Sequence, residues 1–178
     1  TSSLVGSEMC IRDSDIRKQF TFLPFDELKN IEVAAKMSQE NSVAIHLRKG
    51  DDYMQSELMG KGLCTVDYYM KAIDYMRKHI NNPHFYVFTD NPCWVKDNLP
   101  EFEYMLVDWN EVSGKRNFRD MQLMSCAKHN IIGNSTYSWW AAWLNANQDK
   151  IVVGPKRFFN PINSFFSTCD ITVSYTHL

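Results

Sequence analysis

The chain has 178 residues, 44% of them hydrophobic and 13% aromatic, which suits one globular domain with a sizeable core. A formal net charge of -2 excludes the strongly basic surface that a nucleic-acid partner requires. Apolar runs fall short of the ~20 residues of a membrane span, and the five cysteines include no C-x-x-C pair, so neither a disulfide framework nor a zinc site is expected. Widely spaced thiols point to a reducing compartment, the cytoplasm, with at most peripheral attachment to the inner membrane.

Residues 1–14 and 167–178 carry no periodicity and no capping logic, and they resemble translated adaptor read-through. The expected domain is therefore residues 15–166, flanked by artefactual or disordered tails. Within it, Asp26–Glu40 has helical spacing at Leu28, Ile31, Ala34 and Ala35. Ser42–Leu47 is a short β-rich run of the kind a buried parallel strand shows. Thr65–Ile80 reads as a helix, with Thr65 as N-cap and Tyr69, Ile73, Met76 and Ile80 on one face. His84–Thr89 is the next strand, and Pro92 opens a short helix at the position proline favours. Tyr104–Asp108 is a third strand and Phe118–Lys128 a helix. Asn130–Gly133 is a fourth strand, Tyr137–Asn147 a helix and Ile151–Gly154 a fifth strand. This βαβα order predicts an α/β fold: a Rossmann-like, mostly parallel sheet with helices on both faces.

Ligands of such sheets bind outside the carboxyl ends of the strands. The first strand runs into His46, Arg48, Lys49, Asp51 and Asp52, the second ends at Thr89-Asp90-Asn91, and the fourth at Asn134-Ser135-Thr136. A strand turning through small hydroxyl residues into a helix makes an anion site, because free N–H groups and the helix dipole point at the turn. With Arg48 as a forked donor and a carboxylate for base or ribose, the rim suits a nucleoside diphosphate. No Walker loop and no G-x-G-x-x-G is present, which disfavours an ordinary ATPase or dinucleotide enzyme. Trp139, Trp140 and Trp143 are expected to pack in the core. Lys115, Arg116 and Arg119 fit either a loop reaching for phosphate or a solvated charge cluster.

Three of these segments resemble one family. His46-Leu47-Arg48-Lys49-Gly50-Asp51 is similar to the H-x-R-R-x-D motif of α-1,2-, α-1,6- and protein O-fucosyltransferases. Val87-Phe88-Thr89-Asp90 with Trp94-Val95 resembles the middle motif of bacterial α-1,2-fucosyltransferases, glycosyltransferase family 11. Arg119 to Asn145, with Asp120-Met121, Leu123-Met124-Ser125 and Asn134-Ser135-Thr136-Tyr137-Ser138-Trp139-Trp140, is similar to that family's long third motif. The resemblance runs from about Ile16 to about Phe159.

The resemblance implies the C-terminal half of a GT-B-like glycosyltransferase. It implies inverting transfer of L-fucose from GDP-fucose to the 2-hydroxyl of a terminal galactose on a glycan, with no metal or other cofactor. Arg48 matches the motif arginine expected to grip the β-phosphate, and Lys49 stands where a second arginine is usual. His46 is expected near the nucleoside, and Asp51 to hold the arginine loop or act toward the acceptor. Ser135 and Thr136 would donate to phosphate oxygens and Asp90 would contact guanine or ribose, with Thr89, Asn134 and Ser138 completing the donor site. A Gly-Gly-Leu-Gly-Asn-Gln segment typical of the family's N-terminal half does not occur, so a truncated chain of doubtful activity by itself is expected. Two alternatives stand beside this reading: a nucleotide-sugar-binding module without turnover, and a fucosyltransferase of another linkage.

Overall fold

Short runs rich in Val, Ile, Phe and Tyr become parallel strands, and the periodic segments between them become the helices that cover the sheet. The computed structural model describes residues 15–56 and 64–156 and the backbone of Thr176–His177; the tails expected at 1–14 and 167–178 otherwise lie outside the described residues. A helical turn at 15–19 precedes α1 (Leu28–Gln39), β1 (Asn41–Leu47) and the short α2 (Asp51–Met54). Then follow α3 (Val66–His79), β2 (Pro83–Thr89), α4 (Pro92–Asn98) and β3 (Tyr104–Val107). The chain continues through α5 (Arg119–Cys126), β4 (His129–Ile131), α6 (Thr136–Leu144), β5 (Val152–Gly154) and β6 (Thr176–His177).

The strand order is β3-β2-β1-β4-β5-β6, and every pairing is parallel. β1 is central, pairing with β2 from Asn41↔Pro83 to Leu47↔Thr89 and with β4 from Val43↔His129 to Ile45↔Ile131. The chain thus builds outward from β1 to β3, crosses back through residues 108–118, and resumes on the other side at β4. The carboxyl ends of β1 and β4 therefore carry connections that diverge, which opens a crevice between them.

Alternate residues of β1 serve opposite faces. Val43, Ile45 and Leu47 pack with Tyr69, Ala72, Ile73 and Met76 of α3 and Val95 of α4. Ala44, with Tyr86 and Phe88, packs with Val33 and Met37 of α1, Leu123 and Met124 of α5 and Ala141 of α6. Both faces are covered, so β1 is buried almost throughout, as a parallel strand between two helical layers must be. Thr65 caps α3 as expected, its hydroxyl accepting from the Tyr68 N–H at 3.3 Å. Asn91 caps α4 in the same way, accepting from Trp94 N–H at 3.0 Å ahead of Pro92.

Two expectations fail in instructive ways. α1 buries Asn30, Val33 and Met37, while Leu28 and Ile31 face solvent. A polar residue occupies the buried stripe because its amide is fully used, with Trp109 and Asn110 as partners. The tryptophans of α6 are only half-buried, whereas its small residues Ser138, Ala141 and Ala142 go inside. Close approach of α6 to the sheet leaves no room there for an indole. The rings pack on one another, and residues from the start of the domain cover them: Phe20 stacks on Trp140 at 5.0 Å and Arg17 lies 4.0 Å over Trp143.

The observed face of α1 sets a clear contrast. Met37→Ala should cost ~2–5 kcal/mol of unfolding free energy, and Leu28→Ser less than ~0.5 kcal/mol. Urea unfolding followed by circular dichroism distinguishes them, and equal losses would mean that the buried stripe has been assigned to the wrong side.

Candidate active site

The last residues of β1 lead into a loop that has no regular backbone partners of its own, and a carboxylate from the neighbouring strand supplies them. Asp90, just past β2, pairs with Arg48 through Oδ2 and Nη1. Its two oxygens also accept from the backbone N–H groups of Lys49 at 2.6 Å and Gly50 at 3.0 Å. A Cβ on Gly50 would lie 2.5 Å from Asp90 Oδ2 and 2.9 Å from Asp52 Oδ1. Space, rather than backbone dihedral, is what demands glycine there. Asp52 completes the hold on the arginine, accepting from Nη2 at 2.5 Å. Thr89 is buried beside this knot, its hydroxyl accepting from the Asn91 N–H at 3.1 Å.

A cleft of about 470 Å³ opens above this loop. The end of β1 contributes His46 and Arg48, and β2 contributes Thr89 and Asp90. Asn134, Ser135 and Thr136 line it from the start of α6, with Glu111, Val112 and Asn117 from the crossover and Asp120 from α5. Ser135 is the N-cap of α6, and its side chain makes no capping bond to its own helix. The first-turn N–H groups of α6 therefore face the same space as Arg48, and both favour an anion. Arg48 is the one formal cation among the described lining residues, because burial lowers the His46 pKa to about 4 and keeps the ring neutral. Among the described residues the Nδ1 of His46 has no hydrogen-bond partner. Its ring lies tilted against Tyr137, 5.5 Å between centroids.

The opposite wall is anionic. Asp120 is buried on α5, and burial raises its carboxyl to about 6, against the pull of the Asn110 amide that donates to Oδ1 at 2.7 Å. Tyr137 closes the wall, donating to the Asn117 carbonyl at 2.5 Å and accepting from the Met121 N–H at 2.9 Å. Beneath the cleft, Tyr53 donates to Asn134 Oδ1, so the short α2 is tied to the turn before α6.

Seven of the residues expected in the site thus share one cleft: His46, Arg48, Thr89, Asp90, Asn134, Ser135 and Thr136. Lys49 does not join them. In extended backbone its side chain leaves on the other side from Arg48, where the ammonium donates to the Cys64 carbonyl at 3.0 Å and lies 4.5 Å from the Trp94 ring. Burial lowers its pKa there. Ser138 lies beneath the cleft, its hydroxyl donating to the carbonyls of Ser135 at 3.1 Å and Gly133 at 3.3 Å. Asp51 is exposed in the first turn of α2, and the hold on the arginine loop comes from Asp90 and Asp52. Arg116 and Arg119 turn away from the cleft to Asp26 and Glu27. Buried Arg119 also donates to the carbonyls of Leu23 at 3.2 Å and Pro24 at 3.3 Å. Asp120, Asn110 and Tyr53 join the site without having been among the residues expected there. Asp120 stood in the long motif, but nothing local marked it as buried.

Among the described residues no group of three or more His, Cys, Asp or Glu could hold a metal ion. No helix among them is long and apolar enough to cross a membrane.

Asp120 makes stability depend on pH in a definite direction. Its native pKa is about 6 against 3.8, so the native state binds the proton more tightly than the unfolded chain. The resulting cost is absent below about pH 4, grows as pH rises through about 6, and is complete at about pH 7. Asp120→Asn should stabilise the unliganded chain by ~1–3 kcal/mol at about pH 7 and by almost nothing near pH 4. Thermal unfolding at the two pH values checks this, and a loss of stability at neutral pH would refute it.

Comparison with known proteins agrees with the geometry. Alpha-1,2-colitosyltransferase of Escherichia coli is 39% identical over 128 residues, covering 70% of this chain and 44% of that protein. O-antigen biosynthesis glycosyltransferase WbnK of Escherichia coli is 39% identical over 133 residues, covering 73% of this chain and 43% of that protein. Galactoside 2-alpha-L-fucosyltransferase SEC1 of Bos taurus is 28% identical over 103 residues, covering 57% of this chain and 28% of its own length. The chain spans less than half the length of these curated relatives. The model of glycosyl transferase family 11 matches residues 8–167, nearly the whole chain, and the chain belongs to that family.

Proposed function

We propose that this chain carries the donor-binding part of an inverting α-1,2-fucosyltransferase of GT-B type, with the GDP of GDP-fucose in the cleft between β1 and β4. The observation that carries the reading is the joint placement of Arg48 and the α6 N-terminus on one cleft. Two separate anion-favouring devices suit a diphosphate better than either would a single charge. As the bond to the sugar breaks, negative charge grows on the leaving diphosphate. A guanidinium already fixed by Asp90 and Asp52 stabilises that charge without reorganising. On this reading Ser135 and Thr136 donate to phosphate oxygens, His46 lies by the nucleoside, and Asp51 acts toward the acceptor. Asp90 already accepts from three donors of the arginine loop, which favours Asp120 for base recognition, since only its Oδ1 has a partner among the described residues. The acceptor hydroxyl, the 2-position of a terminal galactose, attacks the anomeric carbon from the face opposite GDP, which inverts it. Arg48 supplies the countercharge, so turnover requires no divalent cation. The relative named as a colitosyltransferase favours one second reading: the same linkage and cleft with colitose as the transferred sugar.

Isothermal calorimetry on the full chain should show saturable GDP binding, with ADP and UDP much weaker. Arg48→Ala should weaken GDP by ~1.5–3 kcal/mol, the range for a hydrogen bond to a charged group. Unchanged affinity would remove Arg48 from the site. Transfer to a galactose-terminated glycan should survive EDTA; activity lost on chelation and restored by Mn²⁺ would show that a metal is needed.

A further inference from the structure

A buried amide must satisfy both its carbonyl and its NH₂ group, and those of Asn30 lead toward the cleft. Asn30, wholly buried on α1, accepts from the indole Nε1–H of Trp109 at 2.8 Å through Oδ1. Its Nδ2 donates to Asn110 Oδ1 at 2.8 Å, with Glu27 Oε2 as a further acceptor at 3.3 Å. Asn110 Nδ2 then donates to Asp120 Oδ1 at 2.7 Å.

The direction of this chain of bonds is not a free choice. An indole N–H can only donate, so Asn30 must turn its oxygen to Trp109 and its NH₂ to Asn110. Asn110 must in turn offer its oxygen to Asn30 and its NH₂ to Asp120. Flipping either amide would set donor against donor or acceptor against acceptor. A donor is therefore always presented to Oδ1 of Asp120, and Oδ2 has no partner among the described residues. Glu27, the N-cap of α1, anchors the far end, and Lys29 lies 3.7 Å over the Trp109 ring.

We propose that Trp109, Asn30 and Asn110 form a one-way relay of hydrogen bonds that positions Asp120, so that its free oxygen reads the N–H edge of a guanine base. The proposal rests on the reading of the cleft as a GDP site. Trp109, Asn30 and Asn110 are positioning residues, and none of them needs to touch the nucleotide. Guanine presents two N–H donors to a carboxylate, hypoxanthine one, and adenine a ring nitrogen that repels it. The relay thus sets which nucleotide is accepted, while Arg48 and the α6 N-terminus hold the phosphates.

The charged and titratable groups facing Asp120 or its relay are Glu27 just before α1, Lys29 of α1, His46 of β1, Arg48 and Asp90 just after β1 and β2, Glu111 of the crossover and Tyr137 of α6. His46 stays neutral down to about 4, and burial pushes the Tyr137 hydroxyl above its usual range. Asp120, at about 6, then governs guanine binding near neutrality.

The test is calorimetry of GDP, inosine diphosphate and ADP on the full chain across about pH 5.5–8. The unaltered protein should prefer GDP, then inosine diphosphate, and should lose GDP affinity as pH falls through about 6. Asn110→Ala removes the donor that favours the carboxylate. It should weaken GDP roughly tenfold, leave ADP unchanged, and move the midpoint up by about one pH unit. Trp109→Phe keeps the ring but takes the donor from the buried Asn30 carbonyl, leaving Glu27 alone to orient that amide, so it should shift the midpoint the same way by less, with a modest fall in Tm. Either variant folding normally with the original midpoint and the original GDP-to-ADP ratio would overturn the relay. An unaltered protein that binds GDP and ADP alike would overturn the GDP reading, and the relay with it.

Discussion

The cleft depends on one carboxylate. Asp90 gathers a guanidinium and two consecutive backbone N–H groups from the loop that follows β1. Without it the loop would carry unmet backbone donors next to a mobile arginine. The paired strands β1 and β2 end at the same level, Leu47 opposite Thr89, so the loop and the carboxylate that holds it start from one register. Parallel pairing in a buried sheet is thereby converted into the placement of a single cation. The close approach has a steric condition, met by the absence of a side chain on Gly50.

The two faces of the sheet divide the work. The face under α3 and α4 is almost wholly apolar and takes up Lys49 at its rim. The other face takes in several polar residues: Asn30, Arg119, Asp120, Gln122 and Asn145 are all buried. Burying polar groups costs stability unless each finds a partner. Here the partners are other buried side chains and main-chain carbonyls, and α1, α5 and the crossover are locked together by them. The Asp120 wall of the cleft lies on the face that is harder to fold.

The strands, the order of elements and the parallel sheet were legible because β-rich runs and helical spacing are local signals. So was most of the cleft, since the carboxyl ends of β1, β2 and β4 must meet in any such sheet. What failed were judgments of which side a residue faces. Lys49 adjoins Arg48 in sequence and leaves the cleft because neighbouring residues of an extended chain point apart. The stripe on α1 was misplaced because Asn30 breaks the apolar pattern, and its burial depends on Trp109 and Asn110, some eighty positions further on. Asp120 could not be singled out for the same reason: its burial and its partner are tertiary facts. Long-range polar satisfaction leaves no periodic trace.

Buried Arg119 has a consequence for where the domain begins. Much of its hydrogen bonding is met from outside the sheet's own elements, by the carbonyls of Leu23 and Pro24 and the carboxylates of Asp26 and Glu27. Gln122, one turn further along α5, also donates to Leu23 at 2.9 Å. The segment before α1 therefore acts as a counter-ion for the interior as well as a cover for the tryptophans. A version of the protein cut at the start of α1 would keep every strand, yet strip Arg119 of both its carboxylates and two of its carbonyl acceptors and uncover the tryptophans of α6. The autonomous folding unit is larger than its sheet.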